Sequence, residues 1–364
     1  MLKLLFPSRR LTIYMAKAML VRTIAFLVIV TLIIQTLDLL GETGHVLAYP
    51  GNGNAELWKY VLLRYPQLVA TFLPFSVLLG TLTTFFTLNQ NSEVISMKAA
   101  GLSAHQILAP TILASLLIAV FSFAFNERVV TRATAGLNRW EAAGYGPVPA
   151  DRNGQDDVWV KAGKDLIHAD IVSGKGSAAR LEGVTIYLRG PGALGGILRS
   201  PSAEPARGGW LLHNATRFDV ASGTETAAGD IYTAEGVRPD QFTLAAVNAE
   251  RLPIDSLSTA IHDLRAAGRP TDALESGWWH KISKPLSALL MPLLGSVAAF
   301  GLARSGRLFI RVVIGALLGF AYFVADNAAL AMGNIGVYPP FLAAWGPFFL
   351  FLLIGETVLV RTEE

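Results

Sequence analysis

Imidazole titrates near neutral pH and binds metals readily, so six histidines are the first candidates for chemistry in this 364-residue chain. His45, His105, His168, His213, His262 and His280 are scattered, with no i,i+4 pair to grip a metal. Cysteine is absent, which removes disulfides, thiolate metal sites and cysteine nucleophiles together. The pairs Gly163-Lys164 and Gly174-Lys175 lack the spacing and the hydroxyl of a phosphate-binding loop, and neither HExxH nor GxSxG occurs. The sequence assigns no catalytic residue, no metal ligand and no cofactor, and the chain reads as a non-enzyme.

Charges beside apolar runs are the other candidates. Asp38 and Asp326 stand near the ends of two such runs, where a charge is costly and faces a partner or a cavity. Arg128, Arg132 and Arg139 fall at intervals of four and seven, on one helical face. Guanidinium forks suit phosphate oxygens, and snorkelling at a headgroup boundary accounts for the same pattern. Gly315 and Gly319 form a GxxxG, which permits close helix approach. NSEVISMKAAGLS, Asn91 to Ser103, predicts a short amphipathic helix over about residues 90–101, with Ser92 as cap and Gly101 as stop. Its charges are Glu93 and Lys98, and its apolar residues include Val94, Ile95 and Met97. Docking of a partner and an ordinary interfacial turn both fit that pattern.

The elements that must hold these residues are membrane spans. The chain is 52% hydrophobic and 16% charged, against about 25% charged in a soluble domain. Its net charge of +3 is too small to suggest a nucleic-acid partner. Apolar runs near the roughly 20 residues needed to cross a bilayer extend from Leu11 to Leu40, Tyr65 to Leu88, Ile107 to Asn126, Pro285 to Ala303, Val312 to Leu330 and Pro340 to Val360. Lys3, Arg9, Arg10, Arg304, Arg307, Arg311 and Arg361 gather on one side, which predicts that both termini are cytoplasmic. Trp278 and Trp279, with Lys281 and Lys284, read as an interfacial anchor at the outer start of span four.

Between spans three and four the chain reads as soluble and β-rich. Candidate strands are Val158–Val160, Leu166–Ile171, Val184–Leu188, Trp210–Leu212, Thr216–Val220, Ile231–Thr233 and Phe242–Val247, separated by turn-formers such as GPGALGG. That spacing predicts a sandwich or jelly roll. Asp255 would cap a trailing helix whose Leu257, Ile261 and Leu264 share a face and which Gly268 ends. The predicted organisation is 1–140 (spans one to three), 141–277 (an outer, periplasmic β domain) and 278–364 (spans four to six).

FLPFSVLLGTL (Phe72 to Leu82), NSEVISMKAAGLS, WWHKISKPLSALLMPLL (Trp278 to Leu294) and the stretch from Arg311 to Trp345 together resemble the LptF/LptG permease family of bacterial lipopolysaccharide export. The last two are closer to its LptG branch than to the paralogue LptF. The resemblance implies a transporter subunit of the inner membrane, paired with LptF. Two copies of the ATPase LptB drive it, and it passes lipopolysaccharide to LptC. It implies that the short helix is a coupling helix, with Glu93 at its acidic position and Val94, Met97 and Lys98 beside it. Spans one and five, carrying Gln35, Asp38, Gly315, Gly319 and Asp326, resemble gate helices. Lysines that family members carry at the outer rim are replaced here by Gln35, Gly41, Glu42 and Gln67. Arg64, Arg128, Arg132 and Arg139 are then the expected contacts for substrate phosphates and sugars. The rivals are an FtsX/MacB-like permease, which carries its outer domain between spans one and two, an intramembrane enzyme using Asp38 or Asp326, and a structural scaffold.

Overall fold

A computed structural model describes residues 8–147, 155–174, 178–190, 194–206, 208–239, 242, 249, 252–266, 270–300 and 308–361. The chain divides into two compact units, one comprising Met1–Leu137, Ala249–Ile261 and Pro270–Glu364, the other Asn138–Asn248 and His262–Arg269.

The first unit is a helical bundle. Helix α1 (Arg9–Ala48) begins at Ser8, whose side chain accepts from the Leu11 N–H, and turns at Tyr49–Gly53 into α2 (Asn54–Gln90). A short α3 (Glu93–Ala99) precedes α4 (Ala104–Phe125), which is capped by a reciprocal Ser103–Gln106 box. A π-turn over Asn126–Val130 joins α4 to α5 (Thr131–Ala142). The trailing helix is α6 (Ile254–Ala266), and three long helices finish the chain: α7 (Asp272–Phe300), α8 (Leu308–Asn334) and α9 (Pro340–Arg361). The helices α1, α2, the continuous α4–α5, α8 and α9 are each long and apolar enough to cross a membrane.

The predicted fourth span lies in α7 as far as Phe300, with 301–303 outside the described residues, and the 29 residues of this helix reach about 43 Å. This helix packs against α2, α4, α8 and α9. Neighbours on several sides shield it from lipid, so it tolerates Ser276, Ser283, Ser287 and Ser296, all buried. Its apolar side chains Ala288, Leu290, Met291 and Leu294 join Met19, Val77, Leu78, Leu82, Tyr322 and Phe351 in the central core. Two close approaches fix the packing. A Cβ on Gly80 would stand 2.8 Å from the Thr23 backbone nitrogen, and one on Gly319 would collide with the Leu78 side chain. Gly319 therefore seats α8 on α2, and Gly315 one turn earlier is also buried.

The anchor reading of Lys281 needs correction. Lys281 is buried, and its Nζ donates to Glu127 Oε1 at 2.8 Å. Glu127 comes from the π-turn, and its other oxygen accepts from the Ile254 N–H, also at 2.8 Å. That carboxylate does the work expected of Asp255, which lies inside the first turn of α6. Leu257, Ile261 and Leu264 are buried as their spacing predicted, while Gly268 lies outside the described residues.

The second unit carries six antiparallel strands in one sheet, paired in chain order: β1 (Gln155–Ala162), β2 (Asp165–Ser173), β3 (Arg180–Arg189), β4 (Leu194–Ala206), β5 (Gly209–Asp219) and β6 (Thr224–Thr233). The β insertion is there, and its described strands form a meander in one sheet. Its core includes Val158, Ile167, Val184, Ile186, Leu198, Trp210 and Leu212. Two expected strands, Trp210–Leu212 and Thr216–Val220, fall largely in one, β5. Its irregular register around Ala215 follows Asn214 at φ +51°. Asp230 Oδ1 accepts the Asn214 N–H, and His213 adds a second bond, which holds the Asp230 carboxyl below its ordinary pKa. Strand β4 was not anticipated. Phe242, expected in a strand, packs edge-on against Trp210 outside the sheet, and 243–247 lie outside the described residues.

Replacing Lys281 by Met strands the Glu127 carboxylate in a buried setting and is expected to destabilise the protein by about 3 kcal/mol. Adding Glu127→Gln removes that stranded charge and should restore most of the loss. Thermal unfolding of the detergent-solubilised protein compares the two. Equal midpoints would mean that the pair contributes nothing.

Candidate functional site

Helix α3 stands at one end of the bundle and is built by its own sequence. Val94 is buried with Phe85, Leu88, Ala104 and Ile107, and Met97 packs against the same cluster. Ile95, at 52% exposed, and Lys98 face out. The side chains that bind α3 to the bundle are therefore Val94 and Met97, and the outward face is Ile95 and Lys98. Ile95 was legible only as one more apolar residue, because a seven-residue helix has too few turns to reveal which side faces in. Ser92 does not cap by its side chain. It sits at φ +58° and contributes its carbonyl to the Ser96 N–H at 3.0 Å. Glu93 Oε1 accepts from the Tyr14 hydroxyl and from Asn91 Nδ2, both at 3.3 Å, which ties α3 to α1 as well.

The least covered spans are α1 and α8. In the most apolar stretch of α1 only 11% of residues are buried, and in that of α8 22%, against 56% for α2. Ile24, Leu32, Ile33, Leu37 and Leu40 are exposed along α1, and Ile314, Leu317, Phe320 and Val324 along α8. Contiguous apolar surface of this kind belongs against lipid or another apolar partner.

Several polar residues on these two spans turn inward. Asp38 forms a two-point ion pair with Arg64 of α2, Nε to Oδ2 at 3.2 Å and Nη2 to Oδ1 at 3.0 Å, and it also accepts from the Tyr60 hydroxyl at 2.6 Å. Arg64 donates further to Gln67 Oε1 at 2.8 Å. Thr31 and Tyr65 hydroxyls meet at 3.3 Å two helical turns from Asp38. Gln35, one turn away, is buried, and no described group bonds its amide. On α8, Asp326 Oδ2 pairs with His280 Nε2 of α7 at 3.0 Å.

Arg128, Arg132 and Arg139 are each exposed, while Val130, Thr131, Thr134, Leu137 and Trp140 of the same stretch are buried. The arginine spacing read from the sequence thus corresponds to an outward face. Arg64 is only partly exposed, and its fork is filled by Asp38. No group of three or more His, Cys, Asp or Glu side chains that could hold a metal occurs among the described residues. This arrangement presents surfaces and cross-helix pairs, and its chemistry is binding and packing.

The family described as "Lipopolysaccharide export system permease LptF/LptG" matches residues 13–361. The chain is 27% identical over 348 residues to the Escherichia coli (strain K12) protein named "Lipopolysaccharide export system permease protein LptG", covering 93% of this chain and 94% of that one. It is 24% identical over 326 residues to the Haemophilus influenzae protein of the same name, covering 86% and 89%. The matched region runs from the first span through the β insertion to the last. The chain is a member of the LptF/LptG family of lipopolysaccharide export permeases.

Proposed function

We propose that this chain is the LptG-type permease subunit of an ABC transporter that lifts lipopolysaccharide out of the inner membrane and hands it to a periplasmic bridge. The reading rests on the match across 349 positions, residues 13 to 361, taken with two spans whose apolar faces lack cover within the chain. In this reading both termini and α3 are cytoplasmic and the β domain is periplasmic, as the basic residues of the short loops suggest. Its partners are LptF across the faces of α1 and α8, two copies of LptB at the cytoplasmic side, and LptC.

The energetics call for that division of labour. Exposing an acyl chain of a dozen carbons costs roughly 10 kcal/mol at about 0.8 kcal/mol per CH₂. An apolar chamber shared by two permeases shelters the chains and lowers that cost. A separate nucleotide-hydrolysing subunit supplies the remainder, transmitted through α3. The outward face of α3, Ile95 and Lys98 with Glu93 at its start, is the coupling surface, and Val94 and Met97 hold that surface to the bundle. Arg128, Arg132 and Arg139 are the contacts for phosphate and sugar. Arg64 would serve them only by exchanging its partner Asp38. The position of the β insertion, after the third span, speaks against the FtsX/MacB-like alternative.

Affinity purification of the tagged chain in mild detergent tests the whole reading. A second permease, an ATPase and a phosphorylated glycolipid are expected together, and recovery of the chain without ATPase or glycolipid would overturn it. Glu93→Ala should reduce retained ATPase about tenfold, or about 1.4 kcal/mol, with the bundle intact by circular dichroism. Charge reversal of Arg128 and Arg132 to Glu should lower glycolipid photocrosslinking while ATPase retention is unchanged. Crosslinking at the wild-type yield would remove both from the substrate path.

A further inference from the structure

The His280–Asp326 pair uses only one of the two carboxylate oxygens. Asp326 Oδ1 is buried, and among the described residues nothing bonds it. Two more oxygens nearby share that condition, Ser283 Oγ and Tyr322 Oη. Their placement follows from helical spacing. On α7, Ser283 sits one turn past His280, and Ser287 one turn further. On α8, Tyr322 sits one turn before Asp326. The Tyr322 hydroxyl faces Ser287 without closing a hydrogen bond, and Ser287 itself donates to the Lys284 carbonyl at 2.6 Å. The His280–Asp326 contact and the Ser287–Tyr322 approach therefore lie on either side of Ser283 along α7, with one open oxygen at each of the three levels. All the residues concerned are at least nine-tenths buried.

Hydrocarbon surroundings make three buried oxygens without donors or acceptors costly. What satisfies them must be small, must donate to a carboxylate, and must both accept and donate toward hydroxyls. His280 already supplies a partner for the carboxylate charge, so a cation is not demanded. Water meets every condition, and three polar neighbours are the usual number for a buried one. We propose that α7 and α8 enclose a site for one water molecule, bound by Asp326 Oδ1, Ser283 Oγ and Tyr322 Oη. Asp326 is its principal ligand and the residue that positions α8.

Radiolytic hydroxyl footprinting tests the site, since radicals made from a bound water mark the side chain beside it. The full chain is irradiated in its purified assembly in lipid nanodiscs. Tyr322 is 3% exposed, and Phe351, whose ring lies 5.5 Å away, is 7% exposed and packed in apolar surroundings. Relative to their free amino-acid reactivities, Tyr322 should label several-fold faster than Phe351. Ser283→Val removes a hydrogen-bonding partner from the site, and should bring Tyr322 down to the Phe351 rate. Ser283→Thr has the same shape as Val but keeps the hydroxyl, and should retain fast labelling. Equal rates for Tyr322 and Phe351 in the wild type, or equal rates for the Val and Thr variants, would overturn the water site. The readout needs neither lipopolysaccharide nor nucleotide, so its failure is distinct from a failure of the transport reading.

Discussion

A charge left alone among lipid tails is prohibitively expensive, and this penalty organises the polar content of the bundle. Three acidic residues on separate helices each find a base on another: Asp38 with Arg64, Glu127 with Lys281, and Asp326 with His280. In two of the three the acid belongs to a sparsely covered span and the base to a well-covered neighbour. The central helix α7 supplies both Lys281 and His280, so two other elements are referenced to a helix with neighbours on several sides. Packing then adds the finer constraint, with glycine at the points where backbones or side chains approach most closely.

That sorting leaves α1 and α8 with apolar outward faces and inward polar ties. The proposed function reads a chain of this form as one of two paired permeases. Its exposed side chains are ordinary for a membrane protein, yet the scarcity of cover on these two helices fits spans that meet a second permease and a lipid substrate. Helix α3 is short and held to the bundle by Val94, Met97 and the Glu93–Tyr14 contact, and the proposed function gives its outward face to a nucleotide-hydrolysing neighbour.

Much of this was legible from residue types alone, and the failures have physical causes. Apolar runs of membrane length announce themselves, because the bilayer sets a length that chance rarely produces. Pairings do not. Arg64 reads as a free phosphate ligand until Asp38, 26 residues earlier, is seen to occupy it, and Lys281 reads as a surface anchor until Glu127, 154 residues earlier, is seen beneath it. Strand β4 was hidden by composition. LGGILRSPSAEPA is rich in turn-formers, yet Gly196, Leu198, Ser200 and Ala203 face the core, where small side chains fit between neighbouring strands. A short helix around Glu93 was legible, but seven residues cannot show from periodicity which of Val94 and Ile95 points inward.

The π-turn at Asn126–Val130 has a geometric effect on everything after it. Along α4 the buried positions include a stripe of Ala104, Ile107, Leu108, Thr111, Ser115 and Ser122, and a regular helix continuing that stripe would turn Val129 inward. Val129 is instead 41% exposed, Val130 is 6% exposed, and the stripe resumes at Thr134 and Leu137. One extra residue in a turn rotates the downstream helix by about 100°. The widened turn thus acts as a phase shifter, letting a single unbroken rod obey one angular register among the spans and another beyond them. Shortening it by one residue would leave both segments helical and individually sound, while aiming Arg132 and every later side chain of that rod toward the wrong compass point.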